Sequence, residues 1–145
     1  MKTAIVISAL IIAAGIAAPL ARAGDSYAKA YWHDDDQQHG YYANGKVLGH
    51  DISMLVDTGA TETLVNKQLL NGLYPIGVSR AELADGQIST ALRYVVPLLC
   101  VDDVCVQNMP VVATTSDSLL GTDFLHYVHA ETTIEDDFLV IHGTY

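Results

Sequence analysis

The sequence contains few basic residues. Seven Lys and Arg stand against 17 Asp and Glu in 145 residues, which gives a formal net charge of −10. Removing Lys2 and Arg22 with the amino-terminal leader leaves five basic residues against 17 acidic ones, a charge of −12. Nucleic acids and anionic lipids are themselves negative, so an acidic chain binds them poorly. We therefore expect no nucleic-acid partner and a soluble mature protein of one small domain.

The sequence also lacks an apolar run of the length that a membrane span needs. Residues 4–18 are apolar or small, whereas a spanning helix takes about 20 such residues. Lys2 precedes this run, and an Ala-Arg-Ala tripeptide ends at Ala23, as at the cleavage site of an export signal. We predict a signal peptide over residues 1–23, a periplasmic or secreted protein, and no membrane insertion after cleavage. An uncleaved anchor is the alternative.

Cysteine occurs only twice, at Cys100 and Cys105. If Asp102 and Asp103 form a two-residue hairpin loop, the two cysteines face each other at a non-hydrogen-bonded position. Cα atoms there lie about 4.5 Å apart, within the range of a disulfide. In an exported protein this pattern favours a cross-strand disulfide, of small entropic benefit because the closed loop is short. The alternative is a catalytic thiol, but no histidine stands nearby in the sequence.

The stretch around which the chain is organised runs from Met54 to Ala60, with the sequence Met-Leu-Val-Asp-Thr-Gly-Ala. Three apolar residues form a buried strand, which ends at Asp57. Gly59 permits a tight turn and the close approach of another group to the carboxylate. Holding a carboxylate at the end of a buried strand costs desolvation free energy, which indicates that the carboxylate has a partner or a function. An ordinary Asp-Thr-Gly turn is the alternative.

A second motif, Ser-Leu-Leu-Gly-Thr-Asp, occupies residues 118–123. Together with Asp-Thr-Gly-Ala-Thr it resembles the retropepsin-like aspartic proteases, most closely their short exported bacterial members. The resemblance covers residues 40–143 and implies an all-β, closed-barrel retropepsin-like domain over residues 40–145, with a flap hairpin and one or two short helices. Strands with period-2 alternation and regularly spaced turns agree with an all-β fold.

The resemblance also implies roles for individual residues. Asp57 would be catalytic, and its loop would be supported by Thr58, Gly59 and Ala60. The element Leu119, Leu120 and Gly121 would pack beneath that loop. A hairpin turning at Asp85 and Gly86 would be the flap, although a plain surface hairpin is the alternative. Many retroviral relatives carry Arg after the second glycine, where this chain has Thr122, which puts the dimer geometry in doubt.

Several shorter segments carry their own predictions. Asn44-Gly45 is a strong hairpin signal within residues 41–56. Asn66 is expected to cap a short helix over residues 67–70. The resemblance implies a second short helix over residues 122–127. Residues 24–39, with His33 followed by three aspartates, suggest a mobile acidic arm more than a cation site. His126 and His129 lack a third metal ligand, so we expect surface histidines and no metal or cofactor.

Aspartic protease chemistry needs two carboxylates that share one proton, and the sequence has a single Asp-Thr-Gly. A symmetric homodimer would supply the second Asp57. The prediction is therefore a dimeric endopeptidase that hydrolyses extended peptides, with a water activated between the two carboxylates. Two alternatives remain. One is a non-catalytic retropepsin-fold module for peptide binding or dimerisation, and the other is a structural envelope protein in which Asp-Thr-Gly is only a turn.

Overall fold

The computed structural model describes residues 20–21, 25–82 and 85–144. Within these ranges the chain forms eleven strands, a 3₁₀ helix and a short α-helix. The strands are β1 (Leu20–Ala21), β2 (Ser26–Asp34), β3 (His39–Val47), β4 (His50–Val56), β5 (Leu64–Asn66), β6 (Gly77–Glu82), β7 (Ile88–Val101), β8 (Val104–Thr114), β9 (Ser118–Leu120), β10 (Glu131–Glu135) and β11 (Phe138–Gly143). The 3₁₀ helix covers Lys67–Leu70 and α1 covers Thr122–Tyr127.

The strands pair into one sheet whose middle part closes on itself. The closed path runs β3, β4, β9, β5, β8 and β7, and then returns to β3, because β3 pairs with both β4 and β7. Strands β2, β11 and β10 extend the sheet beyond β3, and β6 extends it beyond β7. The pairings β4–β9 and β5–β8 are parallel. The prediction of an all-β fold with one or two short helices is confirmed.

The core lies inside this ring and is built by period-2 alternation along the strands. Strands β7 and β8 contribute a run of buried valines, with Leu99 and Met109 among them. Met54 of β4 and Phe124 of α1 are fully buried and are among the largest core side chains. Each such side chain contributes about 1.5–3 kcal/mol when it leaves water. The strand and the helix that flank the Asp57 region are therefore held to the same core.

The hairpin between β3 and β4 turns at Leu48 and Gly49, so the prediction of a turn at Asn44-Gly45 is wrong. Both residues lie inside β3, where Gly45 pairs with Ile52 of β4. A Cβ built at Gly45 would lie 3.1 Å from side-chain atoms of both Ile52 and Met54. The glycine therefore allows close packing across the strand rather than a turn.

The acidic segment 24–39, predicted as a mobile arm, is largely the strand β2, paired with β11 on one side and β3 on the other. Ala28 and Ala30 are buried between the exposed residues of this strand, which anchors it to the core. Asp34 ends β2, and Asp35 and Asp36 lie in the β2–β3 turn. There, the Gln37 and Gln38 backbone N–H groups donate to the Asp35 carboxylate and hold its pKa below the ordinary value.

Several local predictions agree with the structure. Asn66 caps the 3₁₀ helix, because its side-chain oxygen accepts a hydrogen bond from the Gln68 N–H at 3.0 Å. Cys100 and Cys105 form a disulfide, with Cα atoms 4.1 Å apart in the β7–β8 hairpin. The predicted signal peptide lies outside the described residues except at Leu20–Ala21, which pair with β8. In the part of the chain that the structure describes, no helix is long and apolar enough to cross a membrane.

Candidate active site

Asp57 directly follows β4, and its backbone is held by the neighbouring strand β9. Its N–H donates to the Leu120 carbonyl oxygen at 3.0 Å, which continues the parallel pairing of Val56 with Leu120. One oxygen of the half-buried carboxylate accepts a hydrogen bond from the Gly59 N–H at 2.8 Å. A Cβ at Gly59 would lie 3.1 Å from that same oxygen. The turn therefore gives the carboxylate a defined direction at the end of a paired strand.

The Asp57 loop, residues 57–63, lies in direct contact with the end of β9. A Cβ built at Gly121 would lie 2.6 Å from both the carbonyl carbon and the carbonyl oxygen of Glu62. Atoms that close would overlap, so a residue with a side chain does not fit here without movement of the loop. The Gly121 N–H also donates to the Thr63 hydroxyl at 3.1 Å. The structure thus brings together the two motifs, Asp-Thr-Gly and Leu-Leu-Gly, that the sequence singled out.

The end of the loop is fastened by an interaction that the sequence analysis missed. The fully buried Thr63 donates its hydroxyl to the Asp123 carboxylate at 2.6 Å, and its backbone N–H donates to the other carboxylate oxygen at 3.0 Å. Asp123 also accepts the Phe124 N–H at 2.7 Å, at the start of α1. One carboxylate therefore ties the Asp57 loop to the helix that follows Gly121. The two residues are sixty positions apart, so local sequence patterns give no signal for this contact.

Thr122 stands where many retroviral relatives carry Arg, and it too binds the Asp57 loop. Its backbone N–H donates to the Ala60 carbonyl oxygen at 2.9 Å, and its hydroxyl donates to the same oxygen at 3.1 Å. The Ala60 N–H in turn donates to the Asp57 carbonyl oxygen at 3.2 Å. Neutral hydrogen bonds thus hold the base of the loop at the position of the missing arginine. Thr58 and Gly59, at the tip, are exposed.

The hairpin predicted as a flap comprises β6 and the first part of β7, and we call it the 77–93 hairpin. Its strands pair from Gly77 with Arg93 to Glu82 with Ile88. The last pair, Glu82 with Ile88, leaves five residues between the strands, so the loop is longer than the turn predicted at Asp85 and Gly86. Asp85 accepts the Gln87 N–H at 2.9 Å, and Gly86 adopts a φ of +81°. Leu83 and Ala84 lie outside the described residues.

One carboxylate links the 77–93 hairpin to the Asp57 loop. Glu62 accepts a hydrogen bond from the Ser79 hydroxyl of β6. Its other oxygen lies 2.8 Å from a terminal guanidinium nitrogen of Arg93 on β7. Sequence reasoning assigned no role to any of these three residues, because the contact joins segments 17 and 31 positions apart. The root of the hairpin therefore lies beside the loop that carries Asp57.

The remaining predicted groups lie apart from this arrangement. Cys100 of β7 pairs with Lys46 of β3. This pair lies near the start of β4, whereas Asp57 follows the end of β4. The rings of His126 and His129 have centroids 6.3 Å apart, and both residues are exposed. Among the residues described, no group of three or more His, Cys, Asp and Glu side chains is placed to hold a metal ion.

Comparisons with solved structures identify the fold. The structure of a retropepsin-like aspartic protease from Rickettsia conorii is similar to this chain with a TM-score of 0.58 and 17% sequence identity, over 84% of this chain and 94% of that one. A foamy viral protease-reverse transcriptase, solved in complex with an RNA/DNA hybrid, gives a TM-score of 0.50 and 16% identity, over 59% of this chain and 11% of that one. At such identities the likeness establishes the fold, which is that of the retropepsins.

Sequence comparison identifies the family. No curated protein sequence matches the chain. The family model described as gag-polyprotein putative aspartyl protease matches residues 43–127, which is more than half of the chain. The matched segment begins in β3 and ends with α1, so it contains the Asp57 loop, the 77–93 hairpin and the Leu-Leu-Gly element. The chain therefore belongs to the gag-polyprotein aspartyl protease family, among the retropepsin-like aspartic proteases.

Proposed function

We propose that the protein is an aspartic endopeptidase in which two copies of Asp57 hydrolyse peptide bonds. The observation that carries the proposal is the position of Asp57. Its carboxylate stands at the end of β4, oriented by the Gly59 N–H and fixed through Leu120 and Gly121 to the core. A catalytic carboxylate must keep its geometry as charge shifts during the reaction, and anchored loops of this kind provide that.

The chemistry requires a second carboxylate a few ångströms from the first. Two carboxylates that close cannot both ionise, so the pair holds one proton between them. The ionised member removes a proton from a water molecule lying between them, and the protonated member donates to the oxygen of the scissile carbonyl. Because the chain has one Asp-Thr-Gly, the second carboxylate comes from another copy of the chain. We expect the highest activity below neutral pH, where the pair retains its proton.

The proposed dimer meets at the Asp57 loops. Thr58 and Gly59 are exposed at the tip of the loop in a single chain, which leaves them accessible to the same loop of a partner. Pairing through the outer edge of β10 is a weaker option. In an antiparallel pair centred on Thr133, Glu131 of each chain would face Glu135 of the other, and like charges in that position repel. A twofold axis beside Asp57 therefore suits both the chemistry and the surface.

The 77–93 hairpin is proposed as the flap that closes over an extended peptide. It projects beside the Asp57 loop, and its connecting loop contains a glycine in the left-handed region. An extended peptide would bind as an added strand, with alternate side chains in apolar pockets. The proposed location is the periplasm or the cell exterior, after cleavage behind Ala23. That location agrees with a disulfide between the two cysteines of the chain, since such bonds persist in oxidising compartments.

The test uses the chain from Gly24 onward and its Asp57→Asn variant. Each is incubated with an unfolded protein from about pH 3 to 8, and fragments are identified by mass spectrometry. We expect cleavage by the wild type and a loss of about a thousandfold or more in the variant, with folding and dimerisation retained. Adding an equal amount of the variant to a fixed amount of wild type should leave about half of the activity, since mixed dimers carry one carboxylate.

Two outcomes would contradict the proposal. Cleavage by Asp57→Asn at the wild-type rate would remove Asp57 from the chemistry. A folded, dimeric wild type that binds extended peptides without cutting any of them would favour the alternative, a non-catalytic peptide-binding module of the same fold. Insensitivity of the wild type to added variant, with cleavage otherwise dependent on Asp57, would show that the site does not need a second chain.

A further inference from the structure

The 77–93 hairpin leaves the body of the protein at Arg93. Strand β7 pairs with β8 from Arg93 to Val101, whereas residues 88–92 pair with β6. Val112 of β8 pairs with Arg93 and also donates its N–H to the Thr63 carbonyl oxygen at 2.9 Å. Arg93 therefore lies where β7 passes from its pairing with β8 in the main sheet to a two-stranded ribbon with β6. Two-stranded ribbons are marginally stable by themselves, so whatever fixes this boundary controls the ribbon.

Glu62 contacts both strands of the ribbon at this boundary. Arg93 pairs with Gly77, and Ser79 pairs with Ala91, so Arg93 and Ser79 are diagonal neighbours on one face of the hairpin. Glu62 accepts from the Ser79 hydroxyl with one carboxylate oxygen and forms an ion pair with Arg93 through the other. The opposite face of the hairpin carries the paired and exposed Val78 and Leu92. The hairpin thus turns its polar face toward the Asp57 loop.

The backbone at Glu62 is itself fixed by contacts with the body of the protein. Its carbonyl group lies against Gly121, where no side chain would fit, and the next residue, Thr63, is tied to Asp123. The Glu62 side chain is 30% exposed and that of Arg93 is 41% exposed, so the pair is partly shielded from water. The Arg93 Nε is buried and has no hydrogen-bond partner among the described residues. Removing the Glu62 carboxylate would therefore leave a partly buried cation without its acidic partner, which is unfavourable.

We infer that Glu62 is a positioning residue that fastens both strands of the 77–93 hairpin to the Asp57 loop. It sets the point from which the hairpin bends when a peptide is bound. This role rests on the proposed protease function for its catalytic consequence, but the attachment itself is a property of the folded chain. Glu62 does not take part in proton transfer. It acts through Ser79 and Arg93 on the geometry of the hairpin above the site.

The first experiment measures backbone hydrogen exchange in the Asp57→Asn background, which prevents self-digestion. Replacing Glu62→Ala should accelerate exchange about tenfold in β6 and in residues 88–92, because local opening no longer breaks the attachment. Exchange in the β7–β8 hairpin around Cys100 should stay unchanged. Glu62→Gln keeps an acceptor oxygen but not the charge. Its hairpin exchange rate should lie between those of the chain with Glu62 and of Glu62→Ala. If Glu62→Ala does not fold, Glu62→Gln and Arg93→Lys provide the same comparison with smaller perturbations.

The second experiment measures peptide cleavage by the Glu62 variants in chains that retain Asp57. Glu62→Ala should raise KM about tenfold while kcat changes by less than about threefold, because a loosened hairpin weakens binding of substrate and transition state alike. Arg93→Ala should give a similar increase in KM. The double variant should be no worse than Glu62→Ala, since that change already breaks the ion pair with Arg93. A residue that merely supported the fold would instead lower the amount of active protein without changing KM.

The matched control is Glu82→Ala, which removes a glutamate of the hairpin itself. Glu82 is exposed in β6 and pairs with Ile88 near the far end of the hairpin. It should leave hairpin exchange in the Asp57→Asn background at the wild-type rate. Unchanged hairpin exchange in Glu62→Ala, or equal acceleration in Glu82→Ala, would overturn the attachment. Faster exchange with an unchanged KM would overturn the positioning role. A wild type that cleaves nothing would count against the protease, while the exchange data would still decide whether Glu62 holds the hairpin.

Discussion

The Asp57 loop and the 77–93 hairpin meet at Glu62, yet they are held in different ways. The loop is fixed by short contacts within the protein: Thr63 is fully buried, and Gly121 touches the backbone of Glu62. The hairpin is mostly exposed, and beyond Arg93 its two strands pair only with each other among the described residues. The same sheet therefore contains a rigid base and a loosely attached ribbon.

This difference separates two requirements of the proposed reaction. A catalytic carboxylate must be held in one direction, which favours buried hydrogen bonds and close backbone packing. A flap must open for substrate to enter and product to leave, which favours exposed hydrogen bonds and few buried apolar contacts. Single substitutions should therefore affect global stability strongly in the base and weakly in the hairpin. Three pairs of matched substitutions test this contrast, in order of decreasing effect.

The largest effect is expected at the contact between Gly121 and the Asp57 loop. In Gly121→Ala the new methyl group would lie 2.6 Å from the Glu62 carbonyl group, so the loop or β9 must move. We expect the free energy of unfolding to fall by about 2–4 kcal/mol and cleavage to be lost with it. Urea titration followed by far-UV circular dichroism measures the first effect, and peptide cleavage measures the second.

Gly77→Ala is the matched substitution in the hairpin. A Cβ at Gly77 meets no atom within 4 Å. The unfolding free energy of Gly77→Ala should therefore change by less than about 0.5 kcal/mol. Equal losses in Gly121→Ala and Gly77→Ala would show that the hairpin is as tightly integrated as the base. A stable Gly121→Ala would show that the loop yields easily, and the proposed rigidity of the Asp57 loop would then be wrong.

The next effect concerns the hydroxyl of Thr63. Valine has nearly the same shape, but Thr63→Val would leave the buried Gly121 N–H without its acceptor and would remove one of the two hydrogen bonds that Oδ1 of Asp123 accepts. An unsatisfied buried polar group costs about 1–3 kcal/mol, so we expect a loss of about 2–3 kcal/mol in urea titrations. Thr63→Ser, which keeps the hydroxyl, should lose less. Thr90→Val, in the exposed part of β7, should leave the free energy of unfolding nearly unchanged. A loss comparable to that of Thr63→Val would contradict the difference between the Asp57 loop and the hairpin.

The sequence was sufficient for the parts of the fold that depend on local patterns. The Asn66 cap and the Cys100–Cys105 pairing each follow from residues within a few positions of one another, whereas the helix at Thr122–Tyr127 was implied by the family resemblance. The family resemblance brought Asp57 and Gly121 together, and it was needed because no local pattern relates two segments sixty residues apart.

The parts that the sequence did not reveal depend on contacts between distant segments. Strand β2 reads as polar, because its buried positions, Ala28 and Ala30, carry small side chains with a weak hydrophobic signal. Gly45 was assigned to a turn because its neighbour is Asn, whereas its role depends on Ile52 and Met54 packing across the strand. The contacts of Asp123 and Glu62 were missed for the same reason: charged residues in loops have many possible partners until the fold selects one.

The smallest effect is expected at two glycines with positive φ, one in the hairpin and one in the body of the sheet. Gly86 in the hairpin and Gly49 in the β3–β4 turn have φ values of +81° and +80°, and a Cβ at either position meets no atom within 4 Å. Alanine therefore introduces the same strain at both, about 1 kcal/mol, because residues with a Cβ disfavour this region.

Strain in a segment that opens by itself cannot lower global stability by more than the free energy of that local opening. Gly49→Ala should therefore cost about 1 kcal/mol in urea titrations, since β3 and β4 belong to the core, whereas Gly86→Ala should cost less than about half as much. Hydrogen exchange should in turn accelerate in the hairpin for Gly86→Ala alone. Equal losses in both variants would mean that the hairpin unfolds together with the rest of the sheet. Flap opening would then require a transition of the whole domain, rather than a bend beside Glu62.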